Sequence, residues 1–331
     1  MTTTMQALRV DQPGADFATV QMPRPQPAAG EVLVRIHASG VNPLDTKIRA
    51  GQAAHARQPL PAVLGIDVAG VVDAVGPDVT AFKPGDEVYA MAGGVGGHQG
   101  TLAQWVTVDA RLLAHKPASL SMREAAALPL AVITAWEGLV DRANVQAGQT
   151  VLVQGGAGGV GHVAVQLAKA RGARVFATVA AEDFELVTRW GATPIDFRSQ
   201  TVADYVGEHT AGQGFDVVFD AVGGPVLDAS FTAARRHGGH VVSILGWGTH
   251  SLAPLSFRAA TYSGVFTLWP LLSGEGREHH GRILREAAAL VDAGLIKPRL
   301  DEHRFTLATA DAAHELVTTG QGRGKVVVDV A

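Results

Sequence analysis

Residues 151–161 read VLVQGGAGGVG. Four mostly apolar residues run into five glycines packed in seven positions, and a helical pattern begins at once. The order is strand, glycine loop, helix, and it contains G-x-G-x-x-G as Gly156, Gly158 and Gly161. In a chain with 39 glycines that pattern is weak by itself. Its context strengthens it: a strand before it, a helix opening on it, and another strand about twenty residues on. Gly156 is expected to make the tight turn and Gly158 to let backbone N–H groups approach a pyrophosphate. Gly161 is expected to let the helix pack on the strand. With Gly159 and Val160 these form the candidate cofactor loop, because the positive end of a helix favours phosphate. The plain alternative is a βα turn with glycine for close packing.

Working outward, apolar strands alternate with amphipathic helices from about residue 128. The strands are TVLVQ (150–154), RVFATV (174–179), PIDF (194–197), FDVVFDAVG (215–223) and GHVVSIL (239–245). Helical stretches at 159–171, 182–190, 201–211 and 225–236 separate them, and a strand to residue 268 closes the series. Such alternation predicts βαβ units around a buried parallel sheet, hence an α/β chain with a doubly wound domain over 128–268. Before it, short strands such as 30–41, 64–76, 86–91 and 102–108 are punctuated by Gly-Pro and Pro-Gly pairs. They predict a β-rich domain over 1–127. A helix at about 279–294 and the strand KVVVDV (325–330) break the alternation, so 269–331 is expected to return to the first domain.

At 331 residues, with 47% apolar and 18% charged residues, the chain can build a large core and is not disordered. Net charge is −4 with both signs scattered, which argues against a nucleic-acid partner. No apolar run approaches the ~20 residues of a membrane span. The start, MTTTMQALRV, lacks the pattern of a signal peptide, so a cytoplasmic location is expected. There is no cysteine, which excludes disulfides and thiol nucleophiles. A phosphate loop of the G-K-[ST] type fails because Gly324-Lys325 is followed by Val326 and opens a strand. G-x-S-x-G is absent, and none of the three tyrosines has a lysine four positions on.

At this point the chain resembles the zinc-free quinone oxidoreductase-like branch of the medium-chain dehydrogenase/reductase superfamily. The resemblance rests on GVNPLDTKIRAG (40–51), LGIDVAGVVDAVG (64–76), FKPGDEV (82–88) and REAAALPLAVITAW (123–136). It also rests on AGGVGHVAVQLAKARGA (157–173), FDVVFDAVGG (215–224) and GKVVVDV (324–330). It implies a GroES-like catalytic domain split around a Rossmann domain, an active site in the cleft between them, and a homodimer formed through the edge strand TYSGVFTL (261–268). Zinc-dependent relatives carry metal ligands where this chain has Asn42, Ile66-Asp67 and a position near Leu130, so no zinc is expected. His279-His280 does not restore a site, since adjacent helix positions point apart and a solvated face is the simpler reading.

Without a Lewis acid the easier hydride acceptors are quinones or alkenes conjugated to a carbonyl, which delocalise the incoming charge. The expected activity is NAD(P)H-dependent reduction of such substrates. A 2-enoyl thioester or enone reductase, or a nicotinamide-binding protein without turnover, are the alternatives. Asn42, at the lost ligand position, is the first candidate for a contact to the substrate carbonyl, with a helix N-cap before Pro43 as its other reading. Asp45 and Asp67 join it as catalytic candidates by resemblance. The tyrosine that relatives place after Arg49-Ala-Gly51 is missing, and His55 is an exposed loop residue on the simplest reading. Residues 93–100 (GGVGGHQG) read as a flexible loop.

On the cofactor side, Thr134 is expected near the nicotinamide by resemblance. Asp220, Val222, Gly246 and Trp247 stand at carboxyl ends of parallel strands, where such sheets bind ligand. Phe266 and Leu268 are implied as backbone partners of the carboxamide. The second strand ends in Thr178 with no acid for a ribose 2′-OH, which favours NADPH without excluding NADH. Arg198 or Arg323 would supply the cation for a 2′-phosphate.

Overall fold

The computed structural model describes residues 4–331, which divide into two compact units. One comprises Ala131–Thr267 with Gly294–Lys297; the other comprises the chain up to Leu130, Leu268–Ala293 and Pro298–Ala331.

The first-named unit is a six-stranded, wholly parallel sheet. Its order is Ala192–Asp196, Arg174–Val179, Thr150–Gln154, Val217–Asp220, His240–Ser243, Thr261–Gly264. Strand order therefore reverses beside Thr150–Gln154, the arrangement that places a ligand crevice at the carboxyl end of that strand. All five residues of Thr150–Gln154 are buried, which is why this strand reads as a continuous apolar run rather than an alternating one. Phe176, Tyr205 and Phe215 fill part of the core, with Phe176 and Phe215 ring centroids 5.2 Å apart in an edge-on contact. The short segment Gly294–Lys297 groups with this unit because the Gln166 amide brackets Lys297. Gln166 Nε2 donates to the Lys297 carbonyl (3.0 Å) and its Oε1 accepts the Lys297 N–H (2.9 Å).

The other unit is mainly antiparallel. Its hub is the eleven-residue strand Glu31–Val41, which pairs with Asp67–Val75, with Trp105–Asp109 and with the last strand, Val326–Asp329. Two register shifts between Glu31–Val41 and Asp67–Val75, at Leu33/Val34 and Ile36/Ala38, mark bulges that bend the hub. A core of Met5, Leu8, Val41, Leu102, Phe305, Val326 and Val328 packs behind it.

Three expectations change. The last parallel strand stops at Gly264, so Val265–Leu268 is not strand and Leu268 already belongs to the β-rich unit. The loop at 93–100 is pinned rather than loose. Val95 is fully buried, the Gly96 N–H donates to the Ala56 carbonyl (2.9 Å) and His98 reaches the Leu271 carbonyl (3.2 Å). On the helix Arg277–Asp292 the two adjacent histidines do not share a solvated face. His280 is fully buried, while His279 sits beside Arg282. Among the described residues no helix is long and apolar enough to cross a membrane.

Candidate functional site

Each unit carries its own constellation of candidate site residues. In the parallel unit the helix Gly161–Ala170 begins immediately beyond the loop. The loop's tight turn falls at Gly155, which has φ +71°, rather than at Gly156. Gly156 is instead a packing glycine: a Cβ there would lie 2.6 Å from the Ala177 Cβ on the neighbouring strand. At Gly161 a Cβ would lie 2.0 Å from the Gly155 carbonyl oxygen, so only glycine lets the helix start fold back on the turn. Gly158 and Gly159 are exposed. The His162 and Val163 N–H groups donate to the Gly158 and Val160 carbonyls (3.1 Å each), and the positive end of the helix dipole suits an anion at the loop.

Thr178 supports this loop from behind. Its hydroxyl donates to Gln154 Oε1 (2.8 Å) and accepts the Gly155 N–H (3.0 Å), and the residue is buried. Thr178, a cofactor-side candidate by its place at the strand end, thus holds the loop through its hydroxyl. Asp220 is similarly occupied: Oδ1 accepts the N–H groups of Val222 (3.1 Å) and Gly223 (3.0 Å), and Oδ2 the Ser243 hydroxyl (2.7 Å). It shapes the strand-end loop and leaves half-exposed Val222 at the surface. Trp247 is exposed, its carbonyl 3.0 Å from His250 Nε2. Phe266 is partly exposed and Thr134, on the helix Pro129–Trp136, is buried. Arg198 lies at the surface, its guanidinium 5.6 Å from the centre of the Phe197 ring and 3.3 Å from Glu182. Arg323 lies in the β-rich unit, where its N–H donates to Asp301 Oδ2 (2.7 Å).

In the β-rich unit, Asn42, Asp45, Asp67 and Lys325 form one buried cluster. The hub strand ends at Val41 and the helix Pro43–Arg49 follows, with Asn42 as its extended N-cap and Pro43 at the favoured first position. Asp45 Oδ2 accepts the Asn42 N–H (2.8 Å), an acid in the first turn closing the helix start. Asn42 Nδ2 donates to Asp67 Oδ2 (3.0 Å), and Asp67 Oδ1 accepts the Leu130 N–H (2.9 Å). Lys325 Nζ donates to Asn42 Oδ1 and stands 3.9 Å from Asp67 Oδ2. Asp45 Oδ1 has no hydrogen-bond partner. The sequence brought three of these four forward; Gly324-Lys325 entered it as the start of the last strand, as part of a family motif and as a failed phosphate loop, with no role for the Lys325 side chain. The available signal was a lysine opening an otherwise apolar strand behind a glycine. Gly324 has φ +135°, and a Cβ there would lie 2.7 Å from the Arg299 carbonyl oxygen.

Burial pushes the Asp45 carboxyl up to about 7, with the Asp67 charge adding to the rise and the Asn42 N–H and Lys325 opposing it. Burial likewise raises Asp67 to about 6, held down in part by Lys325 and Asn42. Burial lowers Lys325, against the pull of both carboxylates. In the unfolded chain Asp45 would titrate at the ordinary aspartate value of 3.8. Between there and about 7 the folded protein holds a proton the unfolded chain has lost, so this group's contribution to stability falls as pH rises through that window. Asp45→Asn keeps an oxygen for the Asn42 N–H but cannot ionise. It is expected to raise stability by at least ~1 kcal/mol near pH 8 and to change it little near pH 4. Urea titrations at the two pH values check this, and equal effects at both would contradict it.

Zinc does not fit this donor set. A protein ammonium occupies the carbonyl side of Asn42, and the chain has no cysteine to serve as a ligand.

Comparison with known proteins places both units. The family model described as alcohol dehydrogenase GroES-like domain matches residues 28–118, and one described as zinc-binding dehydrogenase matches 190–328. The chain is 36% identical over 312 residues to the chloroplastic NADPH-dependent alkenal/one oxidoreductase of Arabidopsis thaliana, covering 92% of this chain and 73% of that protein. A crystal structure of an alcohol dehydrogenase superfamily protein from Novosphingobium aromaticivorans superimposes with a TM-score of 0.97 at 61% identity, covering 99% of this chain and 100% of the other. The quinone oxidoreductase of Coxiella burnetii gives a TM-score of 0.83 at 29% identity, with 99% and 100% covered.

Proposed function

Because the chain belongs to the quinone oxidoreductase-like branch of the medium-chain dehydrogenase/reductase superfamily, we propose that it reduces quinones or carbonyl-conjugated alkenes with a nicotinamide dinucleotide and without zinc. The observation that carries the reading is the loop from Gly155 to Gly161. Gly161 is required by a close backbone approach and Gly156 by the neighbouring strand's Ala177, and the loop stands at the carboxyl end of the strand beside which the sheet order reverses. The substrate class follows from the relatives, named for reduction of alkenals, alkenones and quinones.

Gly158, Gly159, Val160 and Gly161 cradle the pyrophosphate, with Gly156 packed behind them against Ala177, while Val222, Gly246, Trp247, Phe266 and Thr134 line the path toward the nicotinamide end. Bound, that cofactor supplies the hydride. The chain supplies orientation and a polar contact that strengthens as negative charge develops on the acceptor's oxygen. Asn42 makes that contact through the amide N–H that Asp67 leaves over. NADPH is the preferred form. No acid stands at the end of Arg174–Val179, and Arg198 is held only by an exposed ion pair of the kind worth about 0–1 kcal/mol, so its guanidinium can exchange Glu182 for a 2′-phosphate. The test is a fluorescence titration with NADPH and NADH, followed by steady-state oxidation of the tighter one by 1,4-benzoquinone and but-3-en-2-one. Tight binding with no turnover on either acceptor defeats the enzyme reading.

A homodimer through Thr261–Gly264 belongs to the same proposal. That strand ends the sheet with one side unpaired. Exposed Tyr262 lies in it and exposed Phe257 shortly before it in sequence, and an unpaired strand edge invites a partner. Sedimentation equilibrium should return the mass of two chains, and Thr261→Lys should reduce it to one. A monomeric wild type would end this part of the reading.

A further inference from the structure

We propose that Lys325 is a positioning residue for the reduction: its buried ammonium fixes the side-chain amide of Asn42 in the one orientation that presents an N–H to the substrate carbonyl. The inference rests on the reading of Asn42 given above.

An asparagine amide is nearly symmetrical in shape, and only its partners distinguish oxygen from nitrogen. Here the partners are of opposite kinds. An ammonium has three donors and no acceptor, so it must meet Oδ1; an ionised carboxylate only accepts, so it must meet Nδ2. Lys325 on one side and Asp67 on the other therefore define a single amide orientation. Turned over, the amide would set its N–H groups against the ammonium and its oxygen against the carboxylate, both without compensation in a buried site. Drawing charge toward Oδ1 also makes the remaining N–H a stronger donor, the cooperative effect of a hydrogen-bond chain in a low-dielectric interior.

The fold places Lys325 for this task from the far end of the chain. The left-handed turn at Gly324 and the Lys325 N–H to the Arg299 carbonyl (2.7 Å) set its backbone. Val326 then enters the last strand opposite Val41, the residue before Asn42. The side chain is buried, with Asp67 and Asp45 as the charges acting on it.

The test exploits the fact that the chain has only two asparagines, Asn42 and Asn144. Protein labelled with 15N-asparagine gives two pairs of side-chain amide signals, and Asn144→Asp assigns them. In Lys325→Met the Asn42 pair should shift and exchange with solvent faster, and in Lys325→Arg it should stay near its wild-type position. With saturating NADPH and but-3-en-2-one, Lys325→Met should lose kcat by roughly tenfold or more, with KM and NADPH affinity changing far less. Lys325→Arg should recover much of the loss. An Asn42 signal unmoved in Lys325→Met overturns the inference whether or not the protein turns over, and so does an unchanged kcat in an active enzyme. A wild type inactive on every acceptor, with the Asn42 signal still tied to Lys325, sinks the enzymatic reading and the positioning role together. If Lys325→Met does not fold, Lys325→Met/Asp67→Asn removes both charges at once, and the same signal and kcat decide.

Discussion

Asp67→Ala is expected to lower the stability of the folded chain by about 3–5 kcal/mol, the range for removing one partner of a buried ion pair. The substitution strips the Leu130 N–H and the Asn42 amide of their acceptor and leaves buried Lys325 without its ion-pair partner, with only the charge of Asp45 acting on it. The remaining partner is Asn42 Oδ1, a neutral acceptor. Denaturant unfolding near neutral pH measures the loss. Adding Lys325→Met to Asp67→Ala should return part of it, because the stranded charge is gone; a cycle of the four proteins isolates the coupling between the two residues. A loss under ~1 kcal/mol for Asp67→Ala would mean that water or a local rearrangement satisfies the lysine, and that the cluster is far less buried in solution.

The second large effect is at Gly161. Gly161→Ala would set a methyl 2.0 Å from the Gly155 carbonyl oxygen, 2.8 Å from its carbon and 3.0 Å from the Gly156 Cα. All three obstacles are backbone, so the loop must move as a unit, and with it the N–H groups proposed to hold the pyrophosphate. NADPH affinity is expected to fall by roughly a hundredfold or more, near 2.7 kcal/mol, and the thermal midpoint should drop too. Gly158→Ala is the informative companion. Its Cβ would meet only the Gly155 oxygen, at 3.2 Å, on an exposed residue. It should weaken the cofactor while leaving the midpoint nearly unchanged. Wild-type affinity in a folded Gly161→Ala protein would remove the loop from the binding site.

Some of this was legible because the responsible physics is local. A buried parallel strand must be apolar throughout, a helix following a tight turn needs glycine, and a proline after a short polar residue marks a helix start. VLVQGGAGGVG and GVNPLD announce themselves on those grounds. The assignments that changed depended on distant partners. The turn glycine moved from Gly156 to Gly155, because the space at Gly156 is taken by Ala177 of the adjacent strand. The sequence also does not show that the side-chain oxygens of Thr178 and Asp220, both at strand ends, are engaged within the unit by Gln154, Gly155, Val222, Gly223 and Ser243. A residue's spare hydrogen-bonding capacity cannot be counted before its neighbours are known.

By itself, then, the sequence determined the α/β class, the glycine loop and its helix, the family, and the absence of cysteine as a metal ligand. Each follows from residue type and spacing along the chain. Only the tertiary structure decided that Lys325, separated in sequence from Asn42 by nearly the whole protein, completes a buried cluster with it. The last strand lies beside the hub strand, so Val326 is paired with Val41. Burial then gives an ammonium and two carboxyls an energetic weight that no local pattern reveals.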